Sequence, residues 1–291
     1  MVVQGGGSGG QVPRTIWSEV PVPLNHPEPP APCPLGAKRI GGNMKKKILL
    51  FILVVSAAFF VVSFGYLLFH RNAAAYATKS YKSDSIVKVT DKGGYIYFEP
   101  LSRTAETGLI YYPGGKIESK AYSPTARGLA KKGYAVAIPK FATTLPFFRI
   151  MAGDEVIKEN VEIKKWVVAG HSLGGVVATE YLIRAKSDTK DKIKGIAFLA
   201  SYPASDISRL EKPALIVTAS EDKLITEQKI FEASCRFPKD YQKVIIAGGN
   251  HSQFGDYGLQ PKDGKAKINV DEQTVIICEI LDKFMQRVFL P

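Results

Sequence analysis

The pentapeptide Gly170-His171-Ser172-Leu173-Gly174 constrains this chain more than any other segment. It has the pattern G-x-S-x-G. The apolar run Trp166-Val167-Val168-Ala169 precedes it, and a helix-like stretch from Gly175 to Lys186 follows. A strand that turns straight into a helix leaves no room for side chains beside the turn, so glycine stands on both sides. The serine is lifted out of the turn, where a base can reach its hydroxyl. Around it, residues 78–291 alternate strand-like and helix-like stretches, the pattern of an α/β domain.

A serine hydroxyl is a poor nucleophile until a base takes its proton. The chain has four histidines. His26 lies in a Gly/Pro-rich tail, His70 flanks a long apolar run, and His171 sits inside the turn with its side chain directed away from that of Ser172. His251 remains. It lies in Gly248-Gly249-Asn250-His251-Ser252-Gln253-Phe254, after the apolar strand Val244-Ile245-Ile246-Ala247. Sites in open α/β sheets assemble at such carboxyl ends of strands.

An acid is needed to orient the imidazole and to stabilise its protonated form. In elbow-type arrangements it falls between serine and histidine in chain order. The strand Ala214-Leu215-Ile216-Val217-Thr218 runs into Ala219-Ser220-Glu221-Asp222-Lys223. Asp222 is the expected acid. Glu221 is its neighbour and rival, and Asp206 is a more distant one.

A developing oxyanion needs two N–H donors. The amide of Leu173, the residue after the nucleophile, is one. The strand Leu109-Ile110-Tyr111-Tyr112 leads into Pro113-Gly114-Gly115, and glycines there let backbone approach a substrate. Gly114 or Gly115 supplies the second donor, and the sequence does not choose between them.

These segments resemble those of an α/β-hydrolase of the dienelactone-hydrolase-like type. The likeness runs through Tyr112-Pro113-Gly114-Gly115, Gly170-His171-Ser172-Leu173-Gly174-Gly175, Ala200-Ser201-Tyr202-Pro203 and the long segment from Gly249 to Gly258, and covers roughly residues 94 to 288. The resemblance implies an α/β-hydrolase fold, a mostly parallel central sheet with helices on both faces. It also implies a Ser–Asp–His triad, no metal, no cofactor, and hydrolysis of an ester-like bond in a small acyl substrate. Dienelactone hydrolases carry a cysteine nucleophile. Ser172 fills that position here, so the implied chemistry is that of a serine esterase, with thioesterase, lactonase and acyltransferase activity open on the same triad. A non-catalytic binding protein on the same fold is the alternative from another class.

Outside this region the composition changes twice. Residues 1–43 are rich in Gly and Pro and lack apolar periodicity. Gly41-Gly42-Asn43 directly precede Met44, and codons reading GGA-GGA-AAU there resemble a ribosome-binding site. The expectation is a native start at Met44 in a bacterial chain, or a disordered tail before it. Residues 44–77 hold Lys45-Lys46-Lys47 and then 22 uncharged residues, Ile48 to Phe69. That length crosses ~30 Å of hydrocarbon as a helix and exceeds the h-region of a cleaved signal. A signal anchor is therefore expected, partnering the lipid bilayer, with a cytoplasmic N-terminus and an exported domain.

The net charge of +12 is read as dispersed solubilising lysines, because no basic–aromatic cluster points to nucleic acid. Cys33, Cys235 and Cys278 fit no metal spacing, and Cys235 with Cys278 is a candidate pair. The acids of Gly255-Asp256-Tyr257-Gly258 and Pro261-Lys262-Asp263-Gly264 fit no calcium loop and are read as turns fixing the His251 segment.

Within the domain, Ser85–Thr90 and Gly94–Glu99 predict a hairpin, and Tyr134–Ile138 and Ile193–Leu199 predict strands. Ser123 and Pro124 are expected to start a helix that ends at Gly133. Further helices are expected over Phe147–Lys158 and Glu227–Cys235. Asn269 and Glu272 predict a capping box ahead of a final helix with Ile277, Leu281, Phe284 and Val288 on one face. The short span from Tyr202 to Glu211 leaves no room for a large lid. Phe141, Leu145, Phe147, Phe148 and Met151 are candidates for an acyl-pocket wall.

Overall fold

The computed structural model describes residues 42–68, 70–141 and 146–290. His26, Cys33, Phe69, Leu145 and all but the last two residues of the 1–43 leader lie outside the described residues. The chain divides into two compact units, Met1–Val55 and Ser56–Pro291. The division falls within the first helix, α1 (Gly42–Leu68). Its stretch Asn43–Ser63 has a mean hydropathy of 2.2 and is long and apolar enough to cross a membrane. No apolar stripe distinguishes one face of this helix from another.

The second unit is built on an eight-stranded sheet in the order β1-β2-β4-β3-β5-β6-β7-β8. A hairpin opens it, β1 (Val87–Asp91) against β2 (Tyr95–Pro100), and β2 pairs antiparallel with β4 (Ala135–Pro139). The remaining strands are parallel: β3 (Thr107–Tyr112), β5 (Lys165–His171), β6 (Ile193–Leu199), β7 (Ala214–Ala219) and β8 (Tyr241–Ile246). Helices α3 (Ser123–Lys131), α4 (Ala152–Glu159), α5 (Leu173–Arg184), α7 (Glu227–Glu232) and α8 (Val270–Phe289) fill the crossovers and close the chain, with short α2 (Ala75–Ser80) and α6 (Ser187–Lys190).

Alternation along the strands sorts the core into two layers. Leu109, Tyr111, Val167 and Ala169 face one cluster, completed by Leu129 of α3 and Ile277, Leu281 and Phe284 of α8. Ile110, Tyr112, Trp166 and Val168 face the other, completed by Val156 of α4 and Val177 and Leu182 of α5. Each fully buried aliphatic side chain contributes about 1.5–3 kcal/mol, so neither face of the sheet can be uncovered without unfolding the unit.

The last helix begins at the expected capping box. The Asn269 side chain accepts from the Glu272 amide, and Glu272 accepts from the Asn269 amide. Other expectations shift. Ser123 is not a cap: a 3-10 turn over Ser119–Tyr122 feeds straight into α3, and the Ser123 hydroxyl is buried without a partner. The helix expected over Phe147–Lys158 is split into a 3-10 turn, Pro146–Arg149, and α4. Residues 200–213, between β6 and β7, hold no helix or strand, so no lid is built there. Cys235 and Cys278 are both free. Cys278 is buried, and burial pushes its thiol pKa up to about 12.

Residues 71–80 also make contacts within the second unit. Arg71 forms a parallel bridge with Ile117, and Ala77 and Ser80 of α2 are buried. The segment Arg71–Ser80 is therefore part of the folded domain. Its run of alanines carries no periodic signal, and several of its contacts are made by backbone N–H groups.

Candidate active site

Register brings the strand ends level. Tyr112 of β3 stands opposite Gly170 of β5, His171 opposite Leu199 of β6, Leu199 opposite Val217 of β7, and Ala219 opposite Ile246 of β8. Four loops thus leave one edge of the sheet side by side. They are the loops that carry Gly114 and Gly115, Ser172, Asp222 and His251.

Ser172 joins β5 to α5 at φ 52°, ψ −121°, a conformation non-glycine residues seldom adopt and that costs about 1–3 kcal/mol. Its surroundings over-determine it. A Cβ on Gly170 would collide with the Gly174 carbonyl and the Gly175 amide, and one on Gly174 would collide with the Tyr112 carbonyl. The Ser172 amide donates to Leu199 (3.0 Å), and its carbonyl accepts from the Gly175 amide (3.0 Å) and the Ser201 hydroxyl (2.6 Å). Every polar backbone atom of the serine is held, and its side chain is part-exposed.

His251 is 1% exposed, and its Nδ1 lies 2.9 Å from Oδ2 of Asp222. The other oxygen of Asp222 accepts the amides of Leu224 (2.7 Å) and Ile225 (2.8 Å), which fixes the carboxylate plane. Neither rival acid approaches. Glu221 points outward to Lys267 (2.7 Å), and Asp206 accepts the Ser208 amide on the surface. The ring of His251 stands 4.6 Å, centroid to centroid, from that of His171, the residue before Ser172.

His171 is buried beneath the turn, stacked on Phe254 at 5.6 Å. Its Nδ1 lies 2.9 Å from the Tyr122 hydroxyl, which also accepts the Gly114 amide at 2.8 Å. That hydroxyl therefore bridges the Gly114 amide and the imidazole of His171. Burial holds the His171 pKa well below the usual imidazole range, with the neighbouring His251 adding to the effect. The imidazole is neutral and structural. The Gly114 N–H is engaged by the Tyr122 hydroxyl, and a Cβ on Gly115 would meet the Leu173 side chain.

The loop bearing His251 is held by side chains of its own turns and of α8. Asp263 accepts both the amide (2.8 Å) and the hydroxyl (2.6 Å) of Ser252 on one oxygen, and the Gly264 amide on the other (2.8 Å). Asn250 is held by Gln273 and donates to the Gly264 carbonyl (2.7 Å). Tyr122 and Gln273 carried no motif. Ser201 lies in a segment of the resemblance, and Asp263 in a turn read as fixing the His251 segment.

Of the proposed pocket wall, Phe141 is core, stacked on Tyr112 at 6.4 Å. Phe147 and Phe148 are 47% and 69% exposed, and with Met151 they form an apolar ridge before α4. A cavity of about 540 Å³ lies elsewhere, between α2, α3 and α8. No group of His, Cys, Asp and Glu capable of holding a metal occurs among the described residues.

The model of the alpha/beta hydrolase family matches residues 108–275, more than half of the chain and the whole interval from β3 into α8. The chain belongs to the alpha/beta hydrolase family. No curated protein matches it. Among solved structures it is similar to a hyperthermophilic esterase from the archaeon Pyrobaculum calidifontis, at 14% identity over 72% of this chain and 88% of that one, TM-score 0.48. It is also similar to a fungal esterase from Rhizomucor miehei, at 19% identity over 74% and 87%, TM-score 0.48. A third is a predicted CIB-like hydrolase from Thermoplasma acidophilum, at 16% identity over 68% and 97%, TM-score 0.48.

Proposed function

We propose that this chain is a serine hydrolase that cleaves carboxylic-ester-type bonds through Ser172, His251 and Asp222. The observation that carries the reading is the buried His251–Asp222 pair, 2.9 Å apart, on the same sheet edge as a serine held in a strained turn. Asp222 accepts Nδ1–H, which leaves Nε2 of His251 as the base. Ser172 Oγ gives its proton to that nitrogen and bonds to the acyl carbon. The carbonyl electrons move onto oxygen, where the amides of Leu173 and Gly115 receive them. Collapse expels the alcohol, which takes the proton from His251. Water then repeats the sequence and releases the acid. Gly114 has a supporting part, since its amide fixes the loop through Tyr122.

The absence of a lid between β6 and β7 favours small or flexible acyl groups. Helix α1 is read as the membrane anchor, with the domain outside the cytoplasm, on the strength of its apolar length and the preceding Lys45-Lys46-Lys47. The dienelactone-hydrolase-like subtype rests on the motifs alone.

A fluorophosphonate probe tests the reading. It is expected to label the full chain at Ser172, and Ser172→Ala is expected to abolish labelling and lower ester-hydrolysis kcat by about 10⁴-fold or more. A folded wild-type chain that takes no label and cleaves no short-chain ester, thioester or lactone would instead be a binding protein on a hydrolase fold.

A further inference from the structure

We infer that the segment Arg71–Ser80 is a positioning strap for the catalytic rim, tying the loop of Gly114 and Gly115 to the loop of His251, and that Asp256 is its fastening. The inference rests on the reading of the site given above.

The strap reaches the first loop through backbone bonds. The Arg71 amide donates to the Lys116 carbonyl (2.8 Å), and the Glu118 amide donates to the Arg71 carbonyl (2.9 Å). Lys116 follows Gly115 directly and sits at φ 60°, in the left-handed region. A non-glycine residue there persists only when its neighbours hold it, and Arg71 supplies one of the holds. The Glu118 carboxylate adds another by accepting the Ala73 amide at 2.8 Å.

Asp256 anchors the strap to the second loop. Its carbonyl accepts the Ala74 amide (2.8 Å), and its carboxylate accepts the Ala77 amide (2.8 Å). Ala74 is the N-cap of α2 and has no side chain able to cap it. Asp256, from 179 residues away, satisfies the helix's third amide instead. The Asp256 amide in turn donates to the Ala121 carbonyl (2.8 Å), next to Tyr122, whose hydroxyl holds Gly114. Asp256 is 8% exposed and five residues beyond His251. Asp256 thus closes a ring of contacts running from Lys116 through Arg71, Ala74 and Asp256 to Tyr122 and back to Gly114: its backbone carbonyl and amide make the ring bonds, and its carboxylate clamps the strap onto them through Ala77. Strap contacts of this kind touch no substrate. They set where the oxyanion donors stand relative to the base, and a displacement on the order of 1 Å there lowers turnover by roughly a hundredfold.

The test uses the full chain in detergent micelles, with 4-nitrophenyl butyrate as substrate and hydrogen exchange as a second readout. Asp256→Ala is expected to lower kcat by about tenfold to a hundredfold, with KM within about twofold because no substrate contact is lost. It is also expected to speed exchange both in residues 113–118 and in residues 251–258. Asp256→Asn keeps an acceptor oxygen for Ala77 and is expected to restore most of the rate and of the protection. Faster exchange confined to residues 71–80, wild-type kcat in Asp256→Ala, or equal losses in the two variants would overturn the strap. If wild-type protein hydrolyses no ester, the proposed activity falls, and the exchange arm still decides the strap.

Discussion

The two segments that carry Ser172 and His251 are held by opposite means. The Ser172 turn is fixed by exclusion. It continues a buried strand, and backbone fills every position where a Cβ at Gly170 or Gly174 would stand. The segment from Gly248 to Gly264 is fixed by attachment. It contains no regular structure beyond a 3-10 turn at Ser252–Phe254, and side chains of Asp263, Asn250, Gln273 and Asp256 bind its backbone or tie it to its neighbours. Steric exclusion tolerates no substitution but is insensitive to solvent. Attachment tolerates side-chain changes one at a time, each with a graded loss of position.

That contrast sets the largest expected effect. Gly170→Ala drives a methyl group into the Gly174 backbone, which cannot move without displacing α5. A loss of about 3 kcal/mol or more is expected, read by chemical denaturation. Gly258, in the attached segment, has φ +79° but open space where a Cβ would stand, so Gly258→Ala is expected to lose only about 1–2 kcal/mol, from the backbone conformation alone. Equal losses at the two glycines would break the comparison.

A smaller effect, on rate rather than stability, is expected in the attached segment. Asp263→Ala releases the amide and hydroxyl of Ser252, the residue after His251. The expected outcome is a kcat lowered about tenfold to a hundredfold, with KM little changed. Asp263→Asn retains an acceptor and is expected to fall between. Steady-state kinetics on a short-chain ester measure it. A wild-type kcat in Asp263→Ala would show that the loop holds its shape without this bond.

The same contrast explains what can be read from the sequence. Exclusion leaves a signature, because only glycine satisfies it: the G-x-S-x-G turn, the strand before it and the helix after it are legible residue by residue. The strands themselves and the β8-to-α8 end follow from apolar runs and from the Asn269–Glu272 capping box. Attachment leaves almost no signature. Asp263 and Asp256 look like turn residues, and Tyr122 looks like core. Nothing in a linear string says that the Tyr122 hydroxyl takes the Gly114 amide, which is why Gly114 and Gly115 could not be separated. The strap is invisible for the same reason, since alanines that bond through their amides resemble a linker. Ser123 misleads in the other direction. A serine before proline has the form of a cap, but the preceding 3-10 turn already satisfies the helix entrance.

The smallest effect distinguishes two histidines that nearly touch. Their rings are 4.6 Å apart, yet His251 faces a carboxylate and His171 faces only a tyrosine hydroxyl. Asp222 offers a positive imidazole a carboxylate, whereas His171 meets a hydroxyl and buried rings. The His171 pKa is accordingly well below its ordinary 6.5, with burial the main cause. Below pH 6.5 the unfolded chain takes up a proton at this position and the folded chain does not, so the stabilisation is complete above that pH and is lost as pH falls through it. One pH unit of acidification from 6.5 is expected to remove about 1 kcal/mol through this group. His171→Gln keeps an acceptor for Tyr122 but does not titrate. Denaturation midpoints of the two proteins are therefore expected to converge as the solution is acidified. Parallel pH profiles would mean that the imidazole under the elbow takes up its proton as readily in the folded chain as in the unfolded one.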